Sequence, residues 1–281
     1  MPDTSLYYEE RGQGTPIVLL HGFPFDHTIW QSQLQDVSGV ARVLAVDLPG
    51  FGRSEPLGDT EPTMEDYANT LALWAGQVGL DRFVLVGHSM GGYIALAMMR
   101  HFPEMISGLG LVCTRASADT PEARESRYKL VKELWDRGPQ AVVDSMLKRL
   151  FAPQTLEEHP DVVARIQEVM MRQPVGGMVQ ALRAMARRPD STPLLPLIKV
   201  PTLVVSGEHD AIIPHDEIDL LEASIPGAVH RVVRHAGHMP MVERPERMSA
   251  LLSQLAEGSS TFPEIPEPPP LDEAADTRWR E

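Results

Sequence analysis

The sequence predicts an α/β protein built on a parallel sheet, and two observations support this fold class. Short apolar runs alternate with longer segments of helical periodicity, which is the pattern of repeated β-α-β units. Most of these runs are apolar throughout, which is typical of strands buried on both faces of a parallel sheet. The predicted strands of this kind are 17–20, 43–46, 83–86, 108–112 and 202–206.

The remaining elements of the sheet and its helices follow in chain order. Residues 6–10 predict an N-terminal strand, and residues 229–233 predict a further strand late in the chain. Thr63 is followed three residues later by Asp66, which is close to a capping box at the start of a helix. The predicted helices among these strands are 29–37, 63–78, 90–101, 215–224 and 245–256.

The alternation of strands and helices stops between residues 115 and 195. This segment contains no convincing strand, and prolines divide its helical patterns from one another. We therefore expect a helical insertion over 115–195 in a catalytic core formed by residues 1–114 and 196–256. The predicted helices of the insertion are 121–137, 139–150, 161–172 and 175–187.

The last 25 residues, 257–281, differ from the rest of the chain. They contain five prolines, and seven acidic residues stand against two basic ones. Such a composition cannot bury a core, so we expect a mobile or extended tail. The alternative is a tail docked on the core through Phe262, Ile265 or Trp279.

Charge and composition exclude several function classes. The 281 residues carry 25 basic and 39 acidic side chains, a formal net charge of −14, which argues against nucleic-acid binding and against attachment to anionic lipid. The single cysteine, Cys113, excludes an internal disulfide and a cysteine-cluster metal site. Neither a signal-peptide pattern nor an apolar run of about 18 residues occurs, so we expect a cytoplasmic protein without a membrane span. The insertion has 13 basic and 11 acidic side chains, which leaves neutral or weakly anionic substrates open.

The motif GHSMGG at residues 87–92 gives the sharpest indication of chemistry. It has the pattern Gly-x-Ser-x-Gly and lies between a predicted strand and a predicted helix, the context that a nucleophile elbow requires. In such a turn the backbone at Ser89 is strained, and neighbouring segments approach so closely that Gly87 and Gly91 have to be small. Ser89 is therefore the predicted nucleophile.

A serine nucleophile needs a base, and the base needs an orienting carboxylate. In this kind of fold the expected chain order is serine, acid, histidine. Asp210 follows strand 202–206 and His238 follows strand 229–233, so both lie at carboxyl ends of strands, where open α/β sheets place their sites. We expect Asp210 and His238 to complete the triad. The alternatives are Glu208 and Asp216 for the acid, and His209, His230 and His235 for the base.

Two backbone N–H groups are expected to form an oxyanion hole. One belongs to Met90, immediately after the nucleophile, and the other to Phe23 in the loop over residues 21–26, where Pro24 has no N–H to offer. No metal-binding motif occurs, and the glycines at 50–52 are too few for a dinucleotide fingerprint. We therefore predict no metal and no cofactor.

Five motifs, taken together and in this order, resemble the α/β-hydrolase superfamily. They are HGFP at 21–24, DLPGFGRS at 47–54, GHSMGG at 87–92, GEHD at 207–210 and GH at 237–238, and the likeness extends over about residues 5–256. The resemblance implies an α/β-hydrolase fold with a mostly parallel eight-stranded sheet and helices on both faces. It also implies a helical cap over the active site, which corresponds to residues 115–195.

The residue at the elbow separates activities within this superfamily. Haloalkane dehalogenases and epoxide hydrolases place aspartate there, whereas Ser89 is similar to the serine of carboxylesterases, enol-lactonases and monoacylglycerol lipases. The resemblance thus implies hydrolysis of carboxylic esters or lactones through an acyl-enzyme. A cofactor-free perhydrolase (haloperoxidase) and a C–C-bond hydrolase are the alternatives of the same class. A ligand receptor or signalling protein on a hydrolase fold is the alternative of a different class.

Three apolar residues next to this chemistry are candidates for contact with the substrate. They are Phe25, Trp30 and Met239. We therefore expect a small-molecule substrate, an ester or lactone with a small to medium-sized apolar acyl or aryl group.

Overall fold

The computed structural model describes residues 5–58, 61–258 and 261–263, and contains a seven-stranded sheet. The strands are β1 Tyr8–Arg11, β2 Thr15–Leu20, β3 Ala41–Val46, β4 Phe83–His88, β5 Ile106–Val112, β6 Thr202–Gly207 and β7 Val229–Val233. The helices are α1 Gln31–Asp36, α2 Met64–Gln77, α3 Met90–His101, α4 Pro121–Arg137, α5 Gln140–Met146, α6 Pro153–Glu158, α7 Pro160–Met171, α8 Val175–Arg187, α9 His215–Ser224, α10 Pro240–Glu243 and α11 Pro245–Ala256. The predicted α/β class is confirmed.

The sheet is almost entirely parallel. Its strand order is β1-β3-β2-β4-β5-β6-β7, in which β1 runs antiparallel to β3 and each other neighbouring pair is parallel. All six residues of β4 and of β6 are buried, which explains why their sequences are apolar without alternation. The carboxyl ends of the parallel strands meet at one edge of the sheet, so the loops that follow them come together there.

The resemblance implies a sheet of eight strands, and this number is wrong for the described residues. They form a sheet of seven strands. Strand β1 forms one edge of the sheet and β7 forms the other. Just before β1, Tyr7 contacts the loop after β3. Its N–H donates to Ser54 Oγ (2.8 Å) and its carbonyl accepts from the Asp47 N–H (2.9 Å). Tyr7 thereby continues the antiparallel pairing of β1 with β3.

Two pairs of helices cover the sheet. Helix α1 packs on α11, and α2 packs on α3, which also contacts β4 and β5. Helix α2 begins with the predicted capping box, in which Asp66 N–H donates to Thr63 Oγ1 (3.2 Å) and Thr63 N–H donates to Asp66 Oδ2 (2.8 Å). Within residues 5–58, 61–258 and 261–263, no helix combines the length and the apolar character needed to cross a membrane.

Helices α4 to α8 lie between β5 and β6, in the segment where the sequence predicts an insertion. Helix α4 packs on α8. The predicted helix over 139–150 is shorter in the structure, because α5 ends at Met146 and a single 3-10 turn follows over Leu147–Arg149. Leu150 then turns its carbonyl to the N–H of His238 (2.8 Å), a tertiary contact that takes the place of a helical hydrogen bond.

Two polar residues after α7 connect the inserted helices to the core. Arg172 donates through Nε and Nη2 to the two carboxylate oxygens of Asp26, at 2.9 Å each. Gln173 donates to Asp26 Oδ2 (2.8 Å) and accepts from the Gly52 N–H (2.9 Å). The side chain of Asp26 is buried, so these donors satisfy a carboxylate that has little contact with water.

The predicted tail, 257–281, lies mostly outside the described residues, and so do Ile265 and Trp279. Phe262 is described and is fully buried in the core. Next to it, Gln254 Nε2 donates to the Pro263 carbonyl (3.1 Å). The chain thus packs on the core at Phe262.

Candidate active site

Ser89 lies in the turn that joins β4 to α3. Its φ of 51° and ψ of −111° are unusual for a residue with a side chain, as expected for a nucleophile elbow. Two bonds hold this backbone in place: the Ser89 N–H donates to the Val112 carbonyl (2.9 Å), and Thr114 Oγ1 donates to the Ser89 carbonyl (2.7 Å). Ser89 itself is half-buried, so its hydroxyl is presented at the sheet edge.

The glycines on either side of Ser89 allow the turn to close. A Cβ on Gly87 would lie 2.3 Å from the Gly91 carbonyl oxygen, and one on Gly91 would lie 2.7 Å from the Leu20 carbonyl oxygen. Backbone atoms occupy both places, so no rotamer change could relieve the clash. The two glycines therefore have the packing role that the motif predicts.

His238 and Asp210 form a hydrogen-bonded pair at the same edge of the sheet. The Nδ1–H of His238 donates to Asp210 Oδ2 at 2.9 Å, and the two side chains are 1% and 2% exposed. Asp210 comes from the loop after β6 and His238 from the loop after β7. With Nδ1 occupied by the carboxylate, Nε2 of His238 is left to act as a base.

The carboxylate of Asp210 is ionised although it is buried. Burial acts to raise its pKa, but the electrostatic attraction of the His238 ring and the Nδ1–H bond oppose this effect. The N–H groups of Ile212 and Ile213 also donate to Asp210 Oδ1, at 2.8 and 3.1 Å. Together these contacts lower the pKa of Asp210 to about 2, so the side chain carries a full negative charge at neutral pH.

The residues that the sequence offers as alternative acid or base of the triad are exposed or bound to other partners. Glu208 is exposed, accepts the N–H of His235, and lies 3.7 Å from the exposed ring of His209. Asp216 is exposed in the first turn of α9. The ring of His230 is hydrogen-bonded to a serine hydroxyl of β6 at 2.8 Å. Among these residues and the Asp210–His238 pair, that pair alone joins a buried carboxylate to a buried imidazole.

His88 also belongs to the site, although it was not predicted from the sequence. It occupies the first unspecified position of the Gly-x-Ser-x-Gly pattern. Its ring lies 4.8 Å from the ring of His238, and its Nε2–H donates to the His238 carbonyl (2.9 Å). Burial, together with the neighbouring His238, lowers the pKa of His88 well below its usual value, so the ring is neutral. It therefore positions the backbone of His238 without adding a charge beside it.

Cys113 belongs to the same cluster. Its Sγ, a carboxylate oxygen of Asp210 and a ring nitrogen of His238 lie within 4.8 Å of one another. Burial, and then the charge of Asp210, raise the pKa of the Cys113 thiol well above its usual value. The S–H is therefore intact and is a donor to Asp210.

A second buried cluster contains groups that could bind a metal, namely Asp26, His27 and Asp47. Asp47 Oδ1 accepts from the N–H and Nδ1–H of His27 at 2.8 and 2.6 Å, and Oδ2 accepts from the Arg53 N–H at 2.8 Å. Both carboxylate oxygens of Asp26 accept hydrogen bonds from Arg172, as described above. Protein donors therefore use the lone pairs that a cation would need.

The loop after β2, which carries the predicted oxyanion donor Phe23, passes close to the elbow. A Cβ on Gly22 would lie 2.6 Å from His88 Nδ1 and 3.1 Å from the Ser89 Cβ. Phe23 follows, and its N–H donates to no other described residue. Met90 is the first residue of α3, so its N–H has no acceptor within the helix.

The three predicted substrate contacts, Phe25, Trp30 and Met239, have no exposed surface. The ring of Phe25 packs against that of His88, with centroids 6.2 Å apart. None of the three lines the cavity described below. In this structure all three belong to the buried core and offer no surface to a substrate.

A cavity of about 490 Å³ borders the site. On the core side it is lined by Phe23 and by Ile212, whose N–H binds Asp210. A cavity of this size suits a small molecule. The rest of its lining comes from the chain after β5: Arg115, Ala123, Ser126, Arg127, Lys129, Leu130, Glu133, Ser145, Met146, Arg149 and Leu182.

Comparison with known proteins assigns this arrangement to one fold family. The sequence model described as alpha/beta hydrolase fold matches residues 15–245. The chain is similar to a pimeloyl-[acyl-carrier protein] methyl ester esterase from Edwardsiella ictaluri, with 28% identity over 92% of this chain and 99% of the relative.

Two solved structures show the same architecture at high coverage. A thermophilic esterase from Thermogutta terrifontis superposes with a TM-score of 0.87 and 38% identity, over 91% of this chain and 94% of the esterase. The enol-lactonase from Burkholderia xenovorans LB400 superposes with a TM-score of 0.83 and 27% identity, over 90% of this chain and 96% of the enol-lactonase.

Proposed function

Because the chain belongs to the alpha/beta hydrolase fold family and is a hydrolase, we propose that it cleaves carboxylic esters or lactones through an acyl-enzyme formed on Ser89. The observation that carries this proposal is the buried Asp210–His238 pair at 2.9 Å, on the sheet edge where the strained turn presents Ser89. A serine becomes nucleophilic when such a pair accepts its proton.

In the first half of the reaction Ser89 is acylated. His238 Nε2 takes the hydroxyl proton as Ser89 Oγ attacks the substrate carbonyl, and the ionised Asp210 stabilises the imidazolium that results. The N–H groups of Phe23 and Met90 donate to the oxygen that becomes negative in the tetrahedral intermediate. His238 then gives its proton to the leaving alkoxide, and the C–O bond of the ester breaks.

The second half of the reaction releases the acid. His238, neutral again, takes a proton from a water molecule that attacks the acyl-enzyme, and the same two N–H groups stabilise the second tetrahedral intermediate. Ser89 leaves with the proton that His238 returns. In a lactone the alcohol and the acid belong to one molecule, so the ring opens at the first step.

The similarity to an esterase and an enol-lactonase supports esters and lactones as the substrate class. The inserted segment, 115–195, supplies most of the lining of the cavity beside the site. We therefore propose that this segment is a cap that selects the substrate, and that residues 1–114 and 196–256 form the catalytic core.

The proposal is tested with the Ser89→Ala variant. A panel of 4-nitrophenyl esters of increasing acyl length, together with lactones, is first used to find the best substrate. We expect kcat/KM to fall about 10⁴-fold or more in Ser89→Ala, because neither His238 nor the oxyanion donors can replace the nucleophile. Ser224→Ala, at the end of α9, is the matched control and should keep full activity.

A fluorophosphonate probe gives an independent readout. Mass spectrometry should find the label on Ser89 in the wild-type chain and no label at this position in the variant. Near-wild-type turnover by Ser89→Ala would contradict the proposal. Faster cleavage of a vinylogous diketone than of any ester would replace it by C–C-bond hydrolysis, and peracid formation from peroxide and a carboxylic acid at a higher rate would replace it by perhydrolysis.

A further inference from the structure

The side chains that line the cavity beside the site are mainly basic, whereas the chain as a whole is acidic. Four of its lining residues are basic, Arg115, Arg127, Lys129 and Arg149, and one is acidic, Glu133. The chain as a whole has a net charge of −14. A positive wall of this kind in a negative protein attracts an anion and raises its local concentration.

Three of the four cations already have a carboxylate partner. Arg115 and Arg127 bind the buried carboxylate of Asp119, at 2.8 and 2.5 Å. Lys129 lies 3.9 Å from Glu133, one helical turn further along α4. The charge of these residues is therefore partly neutralised within the protein.

Arg149 differs from the other three. Its Nη2 donates to the backbone carbonyl of Ala211 at 2.9 Å, an acceptor without a formal charge. Ala211 is the residue after Asp210, and the neighbour of Arg149, Leu150, accepts the N–H of His238 (2.8 Å). The guanidinium is thus held next to the loops of the site, with donor capacity left over.

We propose that Arg149 is a specificity residue that binds a second, anionic group of the substrate. The inference rests on the proposed function and narrows its substrate class: the preferred esters or lactones carry a carboxylate at the end remote from the reacting carbonyl. The expectation from the sequence, an apolar acyl or aryl group, differs from this inference.

The chemistry of the guanidinium fits this role. Its planar fork of N–H groups matches the two oxygens of a carboxylate, and both groups are fully charged at neutral pH. Arg149 is exposed, so a substrate reaches it without first breaking a buried ion pair. Arg115 and Arg127, anchored by Asp119, add a positive potential to the same cavity.

The test compares two substrates that differ only at the far end of the acyl chain. They are the mono-4-nitrophenyl ester of adipic acid, which ends in a carboxylate, and 4-nitrophenyl hexanoate, which ends in a methyl group. The readout is the ratio of kcat/KM for the adipate to kcat/KM for the hexanoate. We expect a ratio well above one in the wild-type chain and a fall of about tenfold in Arg149→Gln, because a charge-assisted hydrogen bond is lost.

Two further variants distinguish the effect of the positive charge at residue 149 from the effect of removing any nearby positive charge. Lys148→Gln removes the neighbouring exposed cation, which does not line the cavity, and should keep the wild-type ratio. Arg149→Lys keeps the charge and should restore part of the preference. Raising the salt concentration from about 0.02 M to about 0.5 M should lower the wild-type ratio and have little effect in Arg149→Gln.

The possible failures are distinguishable. A wild-type preference for the hexanoate, or an equal loss on both substrates in Arg149→Gln, would overturn the anionic subsite and leave the esterase proposal intact. Turnover of both substrates by Ser89→Ala at the wild-type rate would overturn the proposed function and the subsite together.

Discussion

Asp210 shows how the site sets the charge of a single residue. Burial opposes ionisation of this side chain, yet contacts from His238 and two backbone N–H groups hold its pKa at about 2. An ionised carboxylate at this place fixes the imidazole with Nδ1 protonated and Nε2 free. In the proposed reaction, Asp210 would therefore contribute through its charge together with its position.

Replacing Asp210 by Asn tests this point. The amide has nearly the same shape but no charge, and its N–H₂ favours the wrong tautomer of His238. We expect kcat to fall about 10⁴-fold with a much smaller change in KM, measured on the best ester of the panel. Asp216→Asn, an exposed carboxylate on α9, is the control. A loss below about tenfold would mean that Asp210 does not serve His238 in catalysis.

Single residues of the candidate site can be predicted from the sequence when they belong to a motif. Residues that reach the site only through the tertiary fold cannot. Ser89, Gly87 and Gly91 form a pattern whose spacing follows from a sharp turn. His88 contacts His238, and Cys113 lies near Asp210, only because the ends of β4, β5, β6 and β7 come together at one edge of the sheet. No periodicity or spacing in the sequence shows that juxtaposition.

Glu243 is the buried acid that connects three elements around His238. Its carboxylate accepts from the Gly237 N–H (2.7 Å), the Ala152 N–H (2.8 Å) and the Thr155 hydroxyl (2.7 Å). It thereby joins the loop before His238 to the start of α6 in the insertion. Burial raises the pKa of Glu243, and these donors oppose the shift.

We expect Glu243→Gln to destabilise the fold. The amide group of glutamine would place N–H donors against the backbone N–H groups that the carboxylate now satisfies, so at least one buried donor loses its acceptor. The expected loss is about 1–3 kcal/mol in the free energy of unfolding, measured by urea denaturation. Glu257→Gln, on an exposed residue after α11, should change it by less than about 0.5 kcal/mol. Equal stability of both variants would contradict a structural role for Glu243.

Elements with their own local signals are predictable, whereas elements defined by tertiary contacts are not. The strand and helix sequence from β2 to α3 follows from periodicity and capping. After α5 ends at Met146 and the 3-10 turn follows, the Leu150 carbonyl accepts from the N–H of His238, a contact between residues far apart in sequence that no local signal indicates. The expected count of eight strands came from the resemblance and not from a local signal, and the described residues form seven.

At the scale of the whole molecule, three carboxylates hold distant parts of the chain together. Asp26 joins the loop after β2 to the end of α7, Asp119 binds Arg127 and Arg188, and Asp210 binds His238. In each case burial acts to raise the pKa, and the cations and donors around the carboxylate outweigh it. The net result is a lowered pKa for all three side chains.

The fold should therefore lose stability in acid. Since these pKa values are lower in the folded chain than the value near 4 expected in the unfolded chain, the stabilisation is complete above that value and is lost as the pH falls through the folded values. Asp210, with a pKa of about 2, accounts for roughly 2 kcal/mol of this loss.

Denaturation by urea at a series of pH values between about 6 and 2 measures the effect. We expect the Asp26→Asn variant to lose less stability than the wild-type chain over this range, because it lacks one of the three carboxylates whose pKa is lowered by folding. Asp161→Asn, which removes an exposed carboxylate at the start of α7, should follow the wild-type curve. A free energy of unfolding that does not change with pH would contradict the conclusion that folding lowers the pKa of these carboxylates.

The lining of the 490 Å³ cavity has a consequence for how such a protein can diversify. Eleven of its thirteen lining residues come from the chain between Arg115 and Leu182, and only Phe23 and Ile212 come from loops that hold the candidate catalytic groups. If the insertion selects the substrate as proposed, most of this lining can change while the loops that hold the candidate catalytic groups keep their sequence. A mutagenesis library confined to the lining residues of the insertion that do not contact those loops should then yield new substrate preferences in which the reaction itself is retained.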